Sequence, residues 1–225
     1  MKLTKFKNST LLLLTFAVVQ LFVVACGGGE QAATDTSSTS TETTATTTEE
    51  EPSTAEVESA STSTDDLTAD WVDFTTENGA MSAKFPKEPT TEAQVAPSEI
   101  GDIEFSMTTY ADESNNQFFM VSSLDYPIKP DEYDVEQGFE GAKNGALQNS
   151  GSTLISEESS DRFGIPGKQL VMKNADQGGE LTIRAELYID PKGPTLHQIM
   201  MVVEGDAVDT PEANAFFDSA QITKR

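Results

Sequence analysis

Few side chains in this sequence could do chemistry: one histidine, one cysteine, seven methionines and several runs of acidic and amide groups. An imidazole titrates near neutrality and can act as a base or a metal ligand. His197, however, stands in an apolar run beside Gln198 and Ile199, where it reads as a buried structural residue. Thioethers suit soft copper. Yet Met107, Met120, Met172, Met200 and Met201 fall in strand-like apolar runs, where methionine fills irregular core. Asp112-Glu113-Ser114-Asn115-Asn116 offers oxygen donors in a loop, and calcium is the hard cation that such donors take. Asp112, Glu113 and Asn116 are the candidate ligands. An EF-hand is excluded, because the sixth position from Asp112 is Gln117 rather than glycine and the twelfth is Ser123 rather than glutamate. The acid pairs Asp131-Glu132 and Glu157-Glu158 are adjacent in sequence, whereas glycosidase carboxylates need a set separation across a cleft. No nucleophile elbow, phosphate-binding loop, dinucleotide fingerprint or zinc-binding helix motif occurs, so no catalytic residue and no cofactor is assigned.

The one cysteine permits neither an internal disulfide nor a zinc cluster, and its surroundings give it another role. Lys2, Lys5 and Lys7 make a basic start, followed by an apolar run over 11–25 broken only by Thr15 and Gln20. Residues 1–25 therefore read as a secretory signal, since the run falls short of the ~20 residues that span a bilayer. Val23-Val24-Ala25-Cys26-Gly27 resembles a bacterial lipobox: an apolar residue three before the cysteine, a small one just before it. That resemblance implies lipidation of Cys26 and an extracytoplasmic place on a bacterial cell membrane or outer membrane. Two or more acyl chains hold firmly, each buried CH₂ contributing ~0.8 kcal/mol. Beyond the cysteine, residues 27–66 carry ten acids, no Lys or Arg, and 19 Ser or Thr. Such a stretch buries too little apolar surface to offset the entropy of ordering, so 26–66 is expected to be a lipidated cysteine and a disordered tether. Its root-mean-square reach as a coil is ~35 Å.

The whole chain has 38 acidic against 14 basic residues, a net charge of −24. That balance argues against nucleic acid, which needs Lys and Arg to displace counterions, and against a basic membrane-surface patch. Residues 67–225 hold 11 basic and 28 acidic residues, a net charge of −17, so the acidity belongs to the folded part too. An acidic surface gives solubility and can also select cations or basic partners.

Those 159 residues suit one domain, and hydrophobic periodicity assigns its elements. Segments around Trp71–Phe74 and Met81–Phe85 flank Asn78-Gly79, a tight-turn dipeptide, and predict a hairpin. Ile103, Phe105 and Met107 alternate with polar residues as in a strand with one buried face. The apolar runs 118–121 and 199–203 predict strands covered on both faces. Val135, Phe139, Ala142 and Ala146 recur at helical spacing within 131–149, with Asp131, Glu132, Asp134 and Glu136 near the favoured amino end. Its glycines, Gly138, Gly141 and Gly145, each cost up to ~1 kcal/mol relative to alanine, so the helix must depend on packing or permit close approach. Thr210 and Pro211 open a second helix with a stripe of Ala213, Phe216, Phe217 and Ala220. Strands are expected over 153–155, 168–173, 181–189 and 196–203, the last two joined by an Asp190-Pro191-Lys192-Gly193 turn. Short loops favour an antiparallel meander, hence an α+β domain with a central antiparallel sheet flanked by helices.

Trp71-x-x-Phe74, Phe85-Pro86-Lys87-Glu88-Pro89, Gly164-Ile165-Pro166-Gly167 and Phe216-Phe217-Asp218-Ser219 resemble bacterial PsbP-like proteins, relatives of the extrinsic photosystem II subunit. The resemblance covers most of 68–222 and implies an α/β/α sandwich and a non-enzymatic role. Ala220 stands where a second aromatic belongs, no photosystem partner is implied, and no functional residue is carried over. The combined expectation is a lipid-anchored extracytoplasmic protein with a non-catalytic binding or accessory domain, its partners the membrane and an envelope protein. The alternatives are an acidic-surface calcium or small-solute binder, and a hydrolase with an unrecognised Asp/Glu/Ser site.

Overall fold

Antiparallel turns follow one another along the domain, and their order builds two sheets. The computed structural model describes residues 67–98, 100–174, 180–206 and 208–224. The signal at 1–25, Cys26 and the tether to residue 66 lie outside the described residues. The first hairpin pairs β1 (Val72–Thr75) with β2 (Met81–Phe85) as its Asn-Gly turn requires. Gly79 takes a φ of 66°, and the Asn78 side-chain oxygen accepts the Ala80 amide at 3.0 Å. Next come β3 (Thr90–Ser98), β4 (Gly101–Asp112) and β5 (Gln117–Asp125), then helix α1 (Val135–Ser150). Four long strands follow: β6 (Thr153–Ser160), β7 (Gly167–Asn174), β8 (Leu181–Asp190) and β9 (Thr195–Glu204). Helix α2 (Pro211–Ser219) and the short β10 (Gln221–Ile222) complete the described chain. The large sheet runs β3-β4-β5-β9-β8-β7-β6, and the small one β1-β2-β10, every pairing antiparallel.

The domain is α+β, with a central antiparallel sheet covered on both faces. On one face Phe139, Ala142 and Ala146 of α1 join Leu170, Met172, Ile183 and Leu187 in the first core. On the other, Phe216 and Phe217 of α2 and Phe85 of β2 pack with Phe119, Ile199 and Met201. That second layer is part helix and part small sheet, so helices alone do not make the outer layers. Gly138 of α1 lies so near Tyr133 and Ile189 that a Cβ would meet both.

The sequence pattern and the structure differ at three places. The first helix begins at Val135, not at 131: Asp134 is its cap, accepting the Gln137 amide at 3.0 Å, and Asp131 and Glu132 precede it. β3 was invisible in the pattern, because Val95 is its single large apolar residue. Both faces of β8 are buried, Thr182, Glu186 and Tyr188 included, because α2 and the small sheet cover the side that alternation alone marks as wet. The predicted second-helix cap holds: Thr210 Oγ1 accepts the Ala213 amide at 3.1 Å, with Pro211 in the first turn.

Candidate functional site

Neighbours across an antiparallel sheet point the same way, so register shows how side chains meet. On the α2 side, β5 presents Phe119 and Val121 and then changes to Ser123 and Asp125, while β9 changes from Met201 and Ile199 to His197 and Thr195. The registers align Ala93, Ser106, Ser123 and His197 in one row, and Val95, Glu104, Asp125 and Thr195 in the next. A cleft of about 660 Å³ opens over this polar end, with the turn of the first hairpin on its other side. Glu77, Glu104 and Asp125 bring carboxylates to it, Thr91, Ser106 and Ser123 hydroxyls, and Phe74 and Val95 apolar walls. None of its lining residues is basic.

The cleft floor is fastened from behind. His197 is buried, and its Nδ1 lies 2.9 Å from Ser123 Oγ in a hydrogen bond. Thr195 donates its hydroxyl to Asp125 at 2.6 Å. Strands β4 and β9 flank β5 on both sides, so its amides around Ser123 serve the two ladders rather than converging as donors on one point.

A second polar group lies deeper. Glu186 is 1% exposed and holds a hydrogen bond from Tyr188 at 2.8 Å and one from Gln169 at 3.3 Å. Arg162 and Arg184 reach it from two sides at 3.7 and 3.6 Å. Arg162 also donates to the Phe217 and Asp218 carbonyls at 2.8 and 3.0 Å, capping α2, and Arg184 lies 4.1 Å over the Phe217 ring. Burial pushes the Tyr188 phenol up to about 12. This group clamps helix to sheet.

The residues singled out in the sequence fall apart in space. Asp112 closes the β4–β5 turn, accepting the Ser114 and Asn115 amides at 3.0 and 3.3 Å and the Asn115 side chain at 3.0 Å. Glu113 is exposed in that turn, and Asn116 takes a φ of 51°. Among the described residues no three carboxylate, histidine or cysteine side chains come together as a metal cage. Met107, Met120, Met172 and Met200 lie in the first core and Met201 in the second, on opposite faces of the sheet. Glu157 is half-buried between Lys143 at 2.8 Å and Lys168 at 3.1 Å; the Lys143 hydrogen bond holds its carboxyl below the usual carboxylate range. Cys26 lies outside the described residues. Glu77, Glu104 and Asp125 were missed; the readable signal was the change from apolar to polar along one face of β5 and β9.

No family model and no curated protein sequence matches the chain. Several solved structures resemble it distantly. LpqN of Mycobacterium tuberculosis, described as involved in cell envelope biogenesis, is 16% identical at a TM-score of 0.41, over 70% of this chain and 95% of that one. The apo immunity protein TplEi of the Pseudomonas aeruginosa type VI secretion system is 12% identical at 0.36, over 54% of this chain and 45% of that one. No residue or activity transfers at such values. None of these comparisons bears on the PsbP-like resemblance; of its motif residues, Phe85, Ile165, Phe216 and Phe217 lie in the second core with Trp71 and Phe74 packed against it. Gly167 lacks a Cβ where one would strike the Tyr188 ring, and Ser219 accepts the Lys84 amide at 3.0 Å. These motif residues therefore serve packing.

Proposed function

We propose that this chain is a lipid-anchored, extracytoplasmic protein of the bacterial envelope, with a PsbP-like domain that docks another envelope component without catalysing a reaction. The anchor and compartment rest on the leader and Cys26 in its lipobox. The docking role rests on one observation: the open cleft collects carboxylates, hydroxyls and apolar walls, while the histidine and the buried acid are held in structural contacts. A site built to grip needs such mixed lining; a site built to react needs a free base or nucleophile with convergent donors. The test places a photo-reactive amino acid at Glu77 on the cleft rim of the full-length chain in intact cells. A discrete adduct with another protein is the expected result, and illumination that yields none removes the docking role.

The three carboxylates favour a second reading, a small cationic solute or calcium in the same cleft. Calorimetric titration of the full-length chain with calcium decides the ion: heat abolished by Glu104→Gln and Asp125→Asn supports it, and no heat ends it.

A further inference from the structure

We propose that the outer edge of β3, together with the cleft beside it, takes an extended lysine-bearing strand from the protein partner; the inference rests on the docking role just given. β3 ends the large sheet and pairs in unbroken register with β4, from Thr90↔Thr109 to Ser98↔Gly101. From Thr90 to Ala96 its outward amides and carbonyls thus form a regular row, which ends at Pro97 because proline has no amide hydrogen. An edge of this kind is a template for another strand, and proteins usually blunt it with lysines, prolines, bulges or cover. β6, at the opposite end, carries an irregularity between Leu154 and Ser156. β3 has neither bulge nor lysine, its one proline, Pro97, stands at the hairpin end, and the rest of the strand is open: Thr91, Glu92 and Ala93 are exposed, and Val95 is 60% exposed, an apolar side chain awaiting cover.

Charge then selects the occupant. An added strand would lie about 4.8 Å outside β3, with alternate side chains on the cleft side. Ala93 is the smallest residue on that side of β3, and Ser106 lies beside it, so together they leave a low path from the edge into the cleft. A lysine stem can lie along Ala93 and Val95 while its ammonium meets Glu104 and, from the hairpin side, Glu77. Every charged residue lining the cleft is acidic. A second copy of this chain would instead bring two acidic clefts together, each on a domain of net charge −17.

The experiment uses the full-length chain in detergent and a fluorescent peptide of about eight residues alternating lysine and threonine, a length near that of β3. Controls are the same peptide N-methylated at alternate amides and one with glutamate for lysine. The lysine peptide is expected to bind and slow hydrogen exchange along β3. N-methylation should weaken it about tenfold through lost ladder bonds, and Ala93→Lys should do the same by filling the path with like charge. Ala93 is exposed, so an unchanged unfolding temperature for Ala93→Lys confirms that the fold persists. Binding that ignores N-methylation or leaves β3 unprotected overturns the strand geometry, and no binding overturns the inference outright. A photo-reactive group at Val95 in cells separates this from the docking role. A cleft that crosslinks a partner while the peptides fail leaves docking intact and removes the strand; a crosslink between two copies of this chain removes it as well.

Discussion

Tyr188 shows how one residue can bind two layers. Its ring is wholly buried and packs 4.6 Å from the Phe163 ring, and its hydroxyl bridges Glu186 at 2.8 Å and Ser160 at 3.2 Å. Burial costs the phenolate its water, and the nearby Glu186 charge opposes it further, so ionisation needs a pH of about 12 in the folded chain. In the unfolded chain the same phenol ionises near 10. Below that pH both states hold the proton and the contribution is whole; as pH rises from 10 towards 12 the unfolded state alone releases it, and stability falls. Tyr188→Phe should therefore flatten the alkaline limb of an unfolding-temperature profile between those limits. At neutral pH it should cost about 1–3 kcal/mol, because a buried carboxylate loses a donor. An alkaline limb as steep as that of the wild type would contradict this account. His197 is the comparable case at the cleft: its hydrogen bond fixes Ser123 in the floor.

At the scale of elements, α2 depends on a residue far from it in sequence. The last carbonyls of a helix lack amides four residues on, and a cation there also meets the negative end of the helix dipole. Arg162 supplies both, with bonds to Phe217, Asp218 and Ala220, while its charge faces Glu186. Arg162→Ala should lower stability by roughly 2–3 kcal/mol in urea unfolding, the loss expected for charge-assisted hydrogen bonds. Arg162→Lys should recover less than half of that, since one ammonium cannot fork to several carbonyls. Equal stability of all three proteins would show that the helix is held by its aromatic face alone. The sequence revealed α2 easily, because Thr210, Pro211 and the stripe of Phe216 and Phe217 are local signals. It revealed the first hairpin and β8 for the same reason. It concealed β3, whose Thr-Thr-Glu-Ala-Gln-Val pattern becomes a strand only through pairing with β4. It also misplaced the start of α1, since several acids compete there and only Asp134 reaches a free amide. The cleft was harder still: register brings Glu104 and Asp125 together, and Glu77 joins them from the turn of the first hairpin, in the other sheet.

For the whole molecule, the proposed function requires that a strongly acidic chain be held at a membrane. From Cys26 onward the sequence carries 11 basic and 38 acidic residues, a net charge of −27, so anionic lipid headgroups repel it. Among the described residues, no helix is long and apolar enough to cross a bilayer. Attachment in the proposed function then falls entirely to acyl chains on Cys26, each CH₂ contributing ~0.8 kcal/mol against that repulsion. In cells fed labelled palmitate, the wild-type chain should take up label and sediment with membranes. The Cys26→Ala chain should take up none and lose its acyl anchorage. The redistribution should be insensitive to salt, because an acyl chain partitions by apolar burial whereas a headgroup contact is screened within about 10 Å at 0.1 M. If the Cys26→Ala chain labelled and sedimented like the wild type, another residue or segment would have to hold the protein, and the role given to Cys26 would fall.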